Sequence, residues 1–526
     1  MKLSFLRPLF IVSYLFVSTA NAQVFYRGND GDPETLDHHG TSTTSESRII
    51  DDLYSGLVDF SADAKVIPAT AKSWDVSEDG LTYTFYLRED ALWSNGDPVT
   101  AHDFVFTYRR LMNPVTAAKY ATILYVIKNA EKVNLGELKP TDLGVRAIND
   151  KTLEVKLEQA TPYFLDQLTH QTGKPLHQKS LEELGDQFVK PGNLVSNGAY
   201  TLVSYTLNDR IVMKKNENFF DADNVAIEEF HYIPFEDRST CVRAWEAGEV
   251  HVCSDLPAQD LERLTEYGDS LRIVPYLGTY YYALNTTDDF LADPEIRRAM
   301  SMVIDREFLA DEIWPGMIPA QSLVPVGINN YANGSPETEY FKMSMLDRED
   351  EAIAIMTKKG ISKKNPVTVE LMYNSGENHK NTATAIADMW SEIGINITYK
   401  IRDAAAHYAY LRDLGKVQVA RAGWIGDYPD PQNFLFLLES YNTGFNYARY
   451  DNPEYDSLMK EAANELDLDK RAVILAEAES LIMRDTPFLP IFYYSSFTLI
   501  SPKIENWQSN VMNKNATRFL SFKNPS

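Results

Sequence analysis

No reaction signature runs through this chain. GxSxG, HExxH, P-loop, GxGxxG and EF-hand patterns are all missing, and with them the nucleophile elbow, zinc helix, phosphate cradle and calcium loop. Cysteine is scarce. Cys241 and Cys253 are the two in the sequence, and their spacing makes neither a zinc site nor a CxxC redox pair. Basic charge is in deficit, with 50 Lys and Arg against 75 Asp and Glu, a net charge of −25. Such acidity argues against nucleic acid or an anionic membrane as partner. Beyond the first 22 residues no run of about 18 apolar residues occurs, so no membrane span is expected. Repeats, low-complexity tracts and Gly/Ser/Pro-rich linkers are also lacking. Yet 526 residues are too many for one core, and two or three domains are expected. Domains without linkers usually share a chain that crosses between them more than once, an arrangement suited to hinge closure on a ligand.

What is present begins with a leader. Lys2 and Arg7 flank an apolar stretch over Pro8–Val17, and Ala20-Asn21-Ala22 is a small-residue cleavage signal. These features define a secretory signal peptide, with the mature chain expected to start at Gln23. An extracytoplasmic, oxidising compartment follows. It favours one disulfide between Cys241 and Cys253, with two buried free thiols as the other possibility. His38-His39 is the one adjacent histidine pair. It lacks a carboxylate at ligand spacing, so neither a metal nor another cofactor is expected. Carboxylates are too numerous for a glycosidase pair to be chosen from them. A secreted chain of this size without reaction motifs favours binding over catalysis.

Strands and helices alternate along the chain. Leu81–Leu87 and Lys151–Gln159 alternate apolar and polar residues as half-buried strands do. Further strands are expected at Arg210–Lys215, Ala226–Pro234, Tyr276–Asn285, Thr368–Tyr373, Ile395–Ile401 and Phe488–Tyr494. Helices are expected at Glu46–Leu57, from Ala101 behind a Thr100/Asp103 cap, and at Asn381–Ile393 and Lys470–Arg484. The pattern is α/β with an antiparallel component at Trp74–Leu87.

One stretch concentrates chemistry: VARAGWIGDYPDPQNF, Val419–Phe434. A short strand carrying Arg421 and Trp424 runs into an acidic turn with Asp427, Asp430 and two prolines. The prolines fix φ and remove donors, so Tyr428–Pro431 is an ordered loop. Loops at strand ends are where α/β proteins place ligand groups. A base, an acid and an indole in one place suit a small extended molecule charged at both ends. A plain Asp/Pro turn beside a core tryptophan is the competing description.

Six segments in order carry a family resemblance: Ala71–Pro114, Leu138–Leu157, Pro191–Leu202, GTYYYALN (Gly278–Asn285), Ile296–Arg306 and Val419–Phe434. The chain resembles the peptide-binding members of family 5 of the bacterial extracellular solute-binding proteins, the receptors of peptide ABC importers. The resemblance implies a type II periplasmic binding protein-like fold, two lobes with a hinge, enlarged by a third domain. Domain I would combine 23–54, 180–277 and 496–526, domain II would be 55–179, and domain III 278–495. A peptide would lie extended between domains I and III, adding to strands through its backbone.

Residue by residue, the resemblance assigns Asp427 to the peptide ammonium, and Arg421, His379 (in YNSGENHK) and Arg412 to its carboxylate. Tyr120, Tyr280 and Tyr282 would line the cleft, with Tyr281 on the opposite face. Trp424 would wall a side-chain pocket, and Tyr493 and Tyr494 match further aromatic positions. Asp430 is left with turn chemistry. Ser42 and Thr44 fall in the segment expected to pair with the peptide backbone. Ser42 stands where an acidic residue is common, and Ala405 where a pocket tryptophan is found, so one subsite would differ in shape. The function implied is oligopeptide binding in the periplasm and delivery to a membrane permease, by a monomer without catalysis. A murein-tripeptide binder is the alternative in the same class, and a secreted hydrolase the alternative in another.

Overall fold

In the computed structural model, residues 23–523 are described except 258–259, 332–333, 414 and 443, and the side chain of Ala405. The expected leader lies outside the described residues.

Among the described residues, one mixed sheet of eleven strands runs through the molecule. At one end it pairs Phe25–Asn29 in parallel with Glu229–Pro234 and Val252–Ser254, and continues through the antiparallel strands 210–215 and 200–206. At the other end Val367–Asn374 lies parallel to both Ile395–Arg402 and Val419–Ile425. Two long antiparallel strands, Leu271–Leu284 and Phe488–Ile500, join the ends. Both extend past the expected ranges, because each continues from one half of the sheet into the other. A separate four-stranded antiparallel sheet is built from 71–76, 82–87, 152–156 and 145–149; two of its strands are those expected from the alternation at Leu81–Leu87 and Lys151–Gln159.

The crossing strands part at one place. Pro275 pairs with Ser495 and Thr279 with Tyr493, so three residues, Tyr276–Gly278, face Tyr494 alone. A bulge of this kind bends the strand and locally interrupts the ladder. Gly278 is required there by crowding. A Cβ would stand 2.4 Å from Ile425 Cδ1 and 2.8 Å from Tyr494 Cδ2.

The apolar core follows the two halves. One cluster draws on Phe25 through Val252 and on Ile500, Ile504 and Leu520, and takes in the four-stranded sheet. Two others lie on opposite faces of the second half. Tyr280, Tyr282 and Trp390 belong to one, Tyr281, Phe434 and Leu475 to the other. Cys241, on the helix Arg238–Glu246, is bonded to Cys253 with the Cα atoms 6.0 Å apart. The bridge passes so close to the first strand that a Cβ on Gly28 would meet Cys241 Sγ at 2.4 Å.

The first helix spans Thr44–Leu53, two residues earlier than expected at its start. Thr43 and Glu46 form a capping box. Among the described residues no helix is long and apolar enough to cross a membrane.

Candidate functional site

The strand Val419–Ile425 is held between Leu271–Leu284 and Val367–Asn374. Its register sets Arg421 opposite Tyr282, Gly423 opposite Tyr280 and Gly278 opposite Ile425. Alternation then sends Arg421 to the face of Tyr280 and Tyr282, while Ala422 and Trp424 share the other face with Tyr281.

Arg421 is buried, 6% exposed, and its hydrogen-bond partners are neutral. Its Nη1 donates to Asn374 Oδ1 at 3.0 Å and to the Tyr408 hydroxyl at 2.6 Å, and its Nη2 to the Tyr494 hydroxyl at 3.3 Å. The guanidinium lies 4.4 Å from the centre of the Tyr280 ring, a cation–π contact. Its Nε–H is buried without a partner. Among the described residues no carboxylate comes within salt-bridge distance of it. An always-protonated side chain is thus held by neutral groups with one donor free.

His379 joins this end. It stands in the first turn of the helix Glu377–Glu392. Its Nδ1 is 3.1 Å from the Tyr280 hydroxyl, with the rings stacked at 5.6 Å. Burial, then the charge of Arg421, pushes its pKa down to about 4, so the ring is neutral at pH 7. Trp314 packs against both rings and donates its Nε1–H to Thr382 Oγ1 at 2.8 Å.

Asp427 lies just past the strand and is half-buried. Its Oδ1 accepts from the Tyr120 hydroxyl at 2.8 Å, and Tyr120 in turn stacks on His170 at 5.0 Å. Among the described residues no cation is within salt-bridge distance of it. Burial raises its carboxyl above the usual range, against the opposing effects of the Tyr120 hydrogen bond and the Lys514 charge.

Several expected residues lie elsewhere in the arrangement. Arg412 ends the helix Ala404–Arg412, exposed. Tyr280 and Tyr282 are both fully buried, and the Tyr282 hydroxyl is without a partner. Trp424 donates to Asn433 Oδ1 at 2.9 Å and packs edge-on against Phe436 and Phe445, so its indole nitrogen is already satisfied. Tyr493 receives the amide of Ser322 and belongs to the core, whereas its neighbour Tyr494 reaches Arg421.

The structure changes two expectations. The amides of Ser42 and Thr43 both donate to Glu46 Oε2 at 3.0 Å. The helix cap therefore takes backbone donors that a peptide strand would use. Ser42 and Thr44 are exposed, leaving their hydroxyls accessible. Asp430 does cap the amide of Gln432, but it does more than turn chemistry. Both its oxygens accept from Arg471, each at 2.7 Å. The pair is 0% and 1% exposed. Tyr163 covers Arg471 at 5.3 Å and stacks on Tyr428 at 5.1 Å, nearly parallel. Arg471 lies 41 residues away in sequence, and no local signal connects the two. Asn374 and Tyr408 were also missed, although Asn374 sits inside the YNSGENHK motif. His38 and His39 face the Lys174 carbonyl and Arg110.

The sequence profile of the bacterial extracellular solute-binding proteins, family 5 Middle, matches residues 65–446. The periplasmic oligopeptide-binding protein OppA of Salmonella typhimurium is 33% identical over 494 residues, 92% of this chain and 90% of the relative. The periplasmic murein peptide-binding protein MppA of Escherichia coli is 32% identical over 497 residues, 93% and 91% of the two chains. An MppA murein tripeptide-binding protein in its unliganded open form superposes with a TM-score of 0.88 at 30% identity, covering 96% of this chain and 98% of that one. Haemophilus influenzae OppA in complex with RPPGFSPFR gives 0.74 at 35% identity, covering 95% and 99%. The chain belongs to family 5 of the bacterial extracellular solute-binding proteins and has the type II periplasmic binding protein fold of the OppA and MppA kind.

Proposed function

We propose that this protein is the periplasmic substrate-binding component of an ABC importer for oligopeptides. One observation carries the reading. Arg421 and Asp427 are opposite charges six positions apart on one strand and its loop, and neither meets a counter-charge among the described residues. A ligand with an ammonium at one end and a carboxylate at the other would supply both. Six positions of strand span about 20 Å, less the reach of the side chains, which suits an extended peptide of about two to five residues. His379 and the Tyr494 hydroxyl would help hold the carboxylate, and Tyr120 would steady Asp427. Each charge-assisted contact would contribute on the order of 1.5–3 kcal/mol. The peptide backbone would bond to neighbouring strand edges, so that its ends set the register and its middle is read loosely.

The greater overlap with an unliganded open form, 0.88 against 0.74 for OppA in complex with a peptide, supports an open cleft in this structure. Closure would bend the crossing strands at the Tyr276–Gly278 bulge, moving domain III (278–495) towards domain I (23–54, 180–277 and 496–526), with 55–179 as domain II. Peptide would favour the closed form by binding it better. We read the protein as a monomer, exported by its leader, that performs no chemistry on its cargo and passes it to a membrane permease. A murein tripeptide as cargo is supported by the overlap with MppA.

Calorimetry with tri- and tetra-alanine and their N-acetylated forms tests this. Free peptides should bind and acetylation should cost on the order of a hundredfold. Equal affinity for both forms would remove the role of Asp427, and no binding would remove the function. Tighter binding of murein tripeptide than of tri-alanine would favour the second cargo.

A further inference from the structure

A small cavity of about 40 Å³ with three cationic side chains in its lining, Arg27, Arg48 and Lys514, lies next to the Asp427 end. Its position follows from two backbone bonds. The Gly426 amide donates to the Leu277 carbonyl at 2.8 Å, and the Leu277 amide to the Val511 carbonyl at 2.9 Å. Tyr276 and Met512, one residue further along each segment, line the cavity. The first helix supplies another wall, since Thr44, Ser47, Arg48 and Asp51 recur at helical spacing on one face. Thr44 is the exposed member, at the rim. Lys514 separates this space from a second one of about 30 Å³ lined by Thr169. The residue after Thr169 is His170, which carries Tyr120 and so adjoins the Asp427 anchor.

The lining is rich in cations for a protein of net charge −25. Asp51 is shared by Lys174 and Lys514, both at 3.2 Å. Asp59 is likewise shared by Lys174 at 3.2 Å and Arg518 at 3.4 Å. Arg48 has Asp255 at 2.6 Å. Arg27, 1% exposed, makes no ion pair within 4.0 Å among the described residues. It donates through Nη1 to the Asn515 carbonyl, while its buried Nε–H has no partner. Asp52, the remaining carboxylate near Arg27, is taken up by Tyr232 and Thr517. Around the two cavities five cations thus meet four carboxylates, with Arg27, Arg48 and Lys514 lining the first, and a peptide ammonium would occupy a fifth carboxylate, Asp427. A cavity this size admits water or the end of one side chain, and a carboxylate would complete the cation pairing.

We propose that this cavity is a subsite for the carboxylate side chain of an acidic residue at the first position of a bound peptide. The inference rests on the peptide-binding reading. Asp427 feels the charge of Lys514, so with the α-ammonium on Asp427 a Glu side chain would be directed towards Lys514. A neutral isostere of the same length fits the space but supplies no charge for the surplus cation, so discrimination falls on charge rather than shape.

Calorimetry on the mature full-length chain, with Ala-Ala-Ala, Gln-Ala-Ala and Glu-Ala-Ala, tests the proposal. The Glu peptide should bind about tenfold tighter than the Gln peptide, the scale of one charge-assisted contact. Lys514→Met should bring that ratio close to one. Thr44→Glu, placed on the exposed rim, should lower it as well by tethering a competing carboxylate, and it leaves the buried cluster intact should Lys514→Met fail to fold. Equal affinities for the Glu and Gln peptides in the unaltered protein, as expected of a cavity that holds only water, overturn the proposal. So does a ratio that neither folded variant changes. Failure of Ala-Ala-Ala itself to bind overturns the peptide reading and this inference together.

Discussion

Asp427 and Asp430 stand three residues apart in one loop, and the structure uses them in opposite ways. Asp430 is fully enclosed and finished, since both oxygens accept from Arg471 and Tyr163 covers the pair. Asp427 is half-buried and has one hydroxyl partner, Tyr120. The same contrast separates the two arginines. Arg471 has its carboxylate, while Arg421 is held by neutral oxygens and a ring. An enclosed charge with a fitted counter-charge fixes a loop in place. A charge held ready by neutral groups is one that a ligand can complete. The loop is rigid because of one aspartate and available because of the other.

The largest effect that would break this contrast is on stability. Asp430→Ala leaves Arg471 enclosed without a counter-charge and should destabilise the protein by roughly 3–5 kcal/mol, read as a clear drop in the thermal unfolding midpoint without peptide. A midpoint close to that of the unaltered protein would mean that Asp430 is no more structural than Asp427.

Next in size, Asp427→Asn should leave the empty protein as stable or slightly more so, because an ionised carboxylate whose pKa is raised on folding opposes folding. Affinity for free peptides should fall by about 2–3 kcal/mol, measured by calorimetry. Asp427→Asn should also flatten the pH dependence. An ammonium favours the ionised form, so affinity in the unaltered protein should rise with pH through the carboxylate range and level off above it. A variant that keeps this slope would place the titrating group elsewhere.

The smallest effect sharpens the structural side. Asp166, in the short helix Phe164–Leu168, is pushed up to about 7 by burial and then by the charge of Asp430, with Arg471 pulling it back. Its folded pKa lies above its unfolded one, so the folded state holds the proton more tightly. Stability should decline as pH rises from about 4 towards 7 and stay reduced above that. Asp166→Asn should raise stability at pH 8 by on the order of 1 kcal/mol and remove that part of the decline in pH-dependent unfolding. An unchanged profile would show that Asp166 does not feel the Asp430–Arg471 pair.

Much of the site was legible because its parts are local. Val419–Phe434 places Arg421 and Asp427 by strand alternation and two prolines, whereas His379 stands in a helix that starts at Glu377, four residues before the expected Asn381. Thr43-x-x-Glu46 is a readable capping box, and reading it would have moved the helix start from Glu46 to Thr44 and withdrawn the amides of Ser42 and Thr43 from the peptide. What was hidden depends on distance along the chain. Nothing near Asp430 announces Arg471, and nothing near Asp427 announces Tyr120, 307 residues away. The sequence favours the pairing of Cys241 and Cys253 over two free thiols without deciding it. It is decided by a helix and a strand that bring the Cα atoms to 6.0 Å.

The sequence by itself determined the alternation of strands and helices, the family and the two charged positions of the central loop, because these rest on spacing between near neighbours. Only the tertiary structure decided which charges are matched and which stand open. Pairing needs side chains to meet in space, and the elements that bring Arg471 to Asp430, Tyr120 to Asp427 and Lys514 to the floor beside it come from three distant parts of the chain.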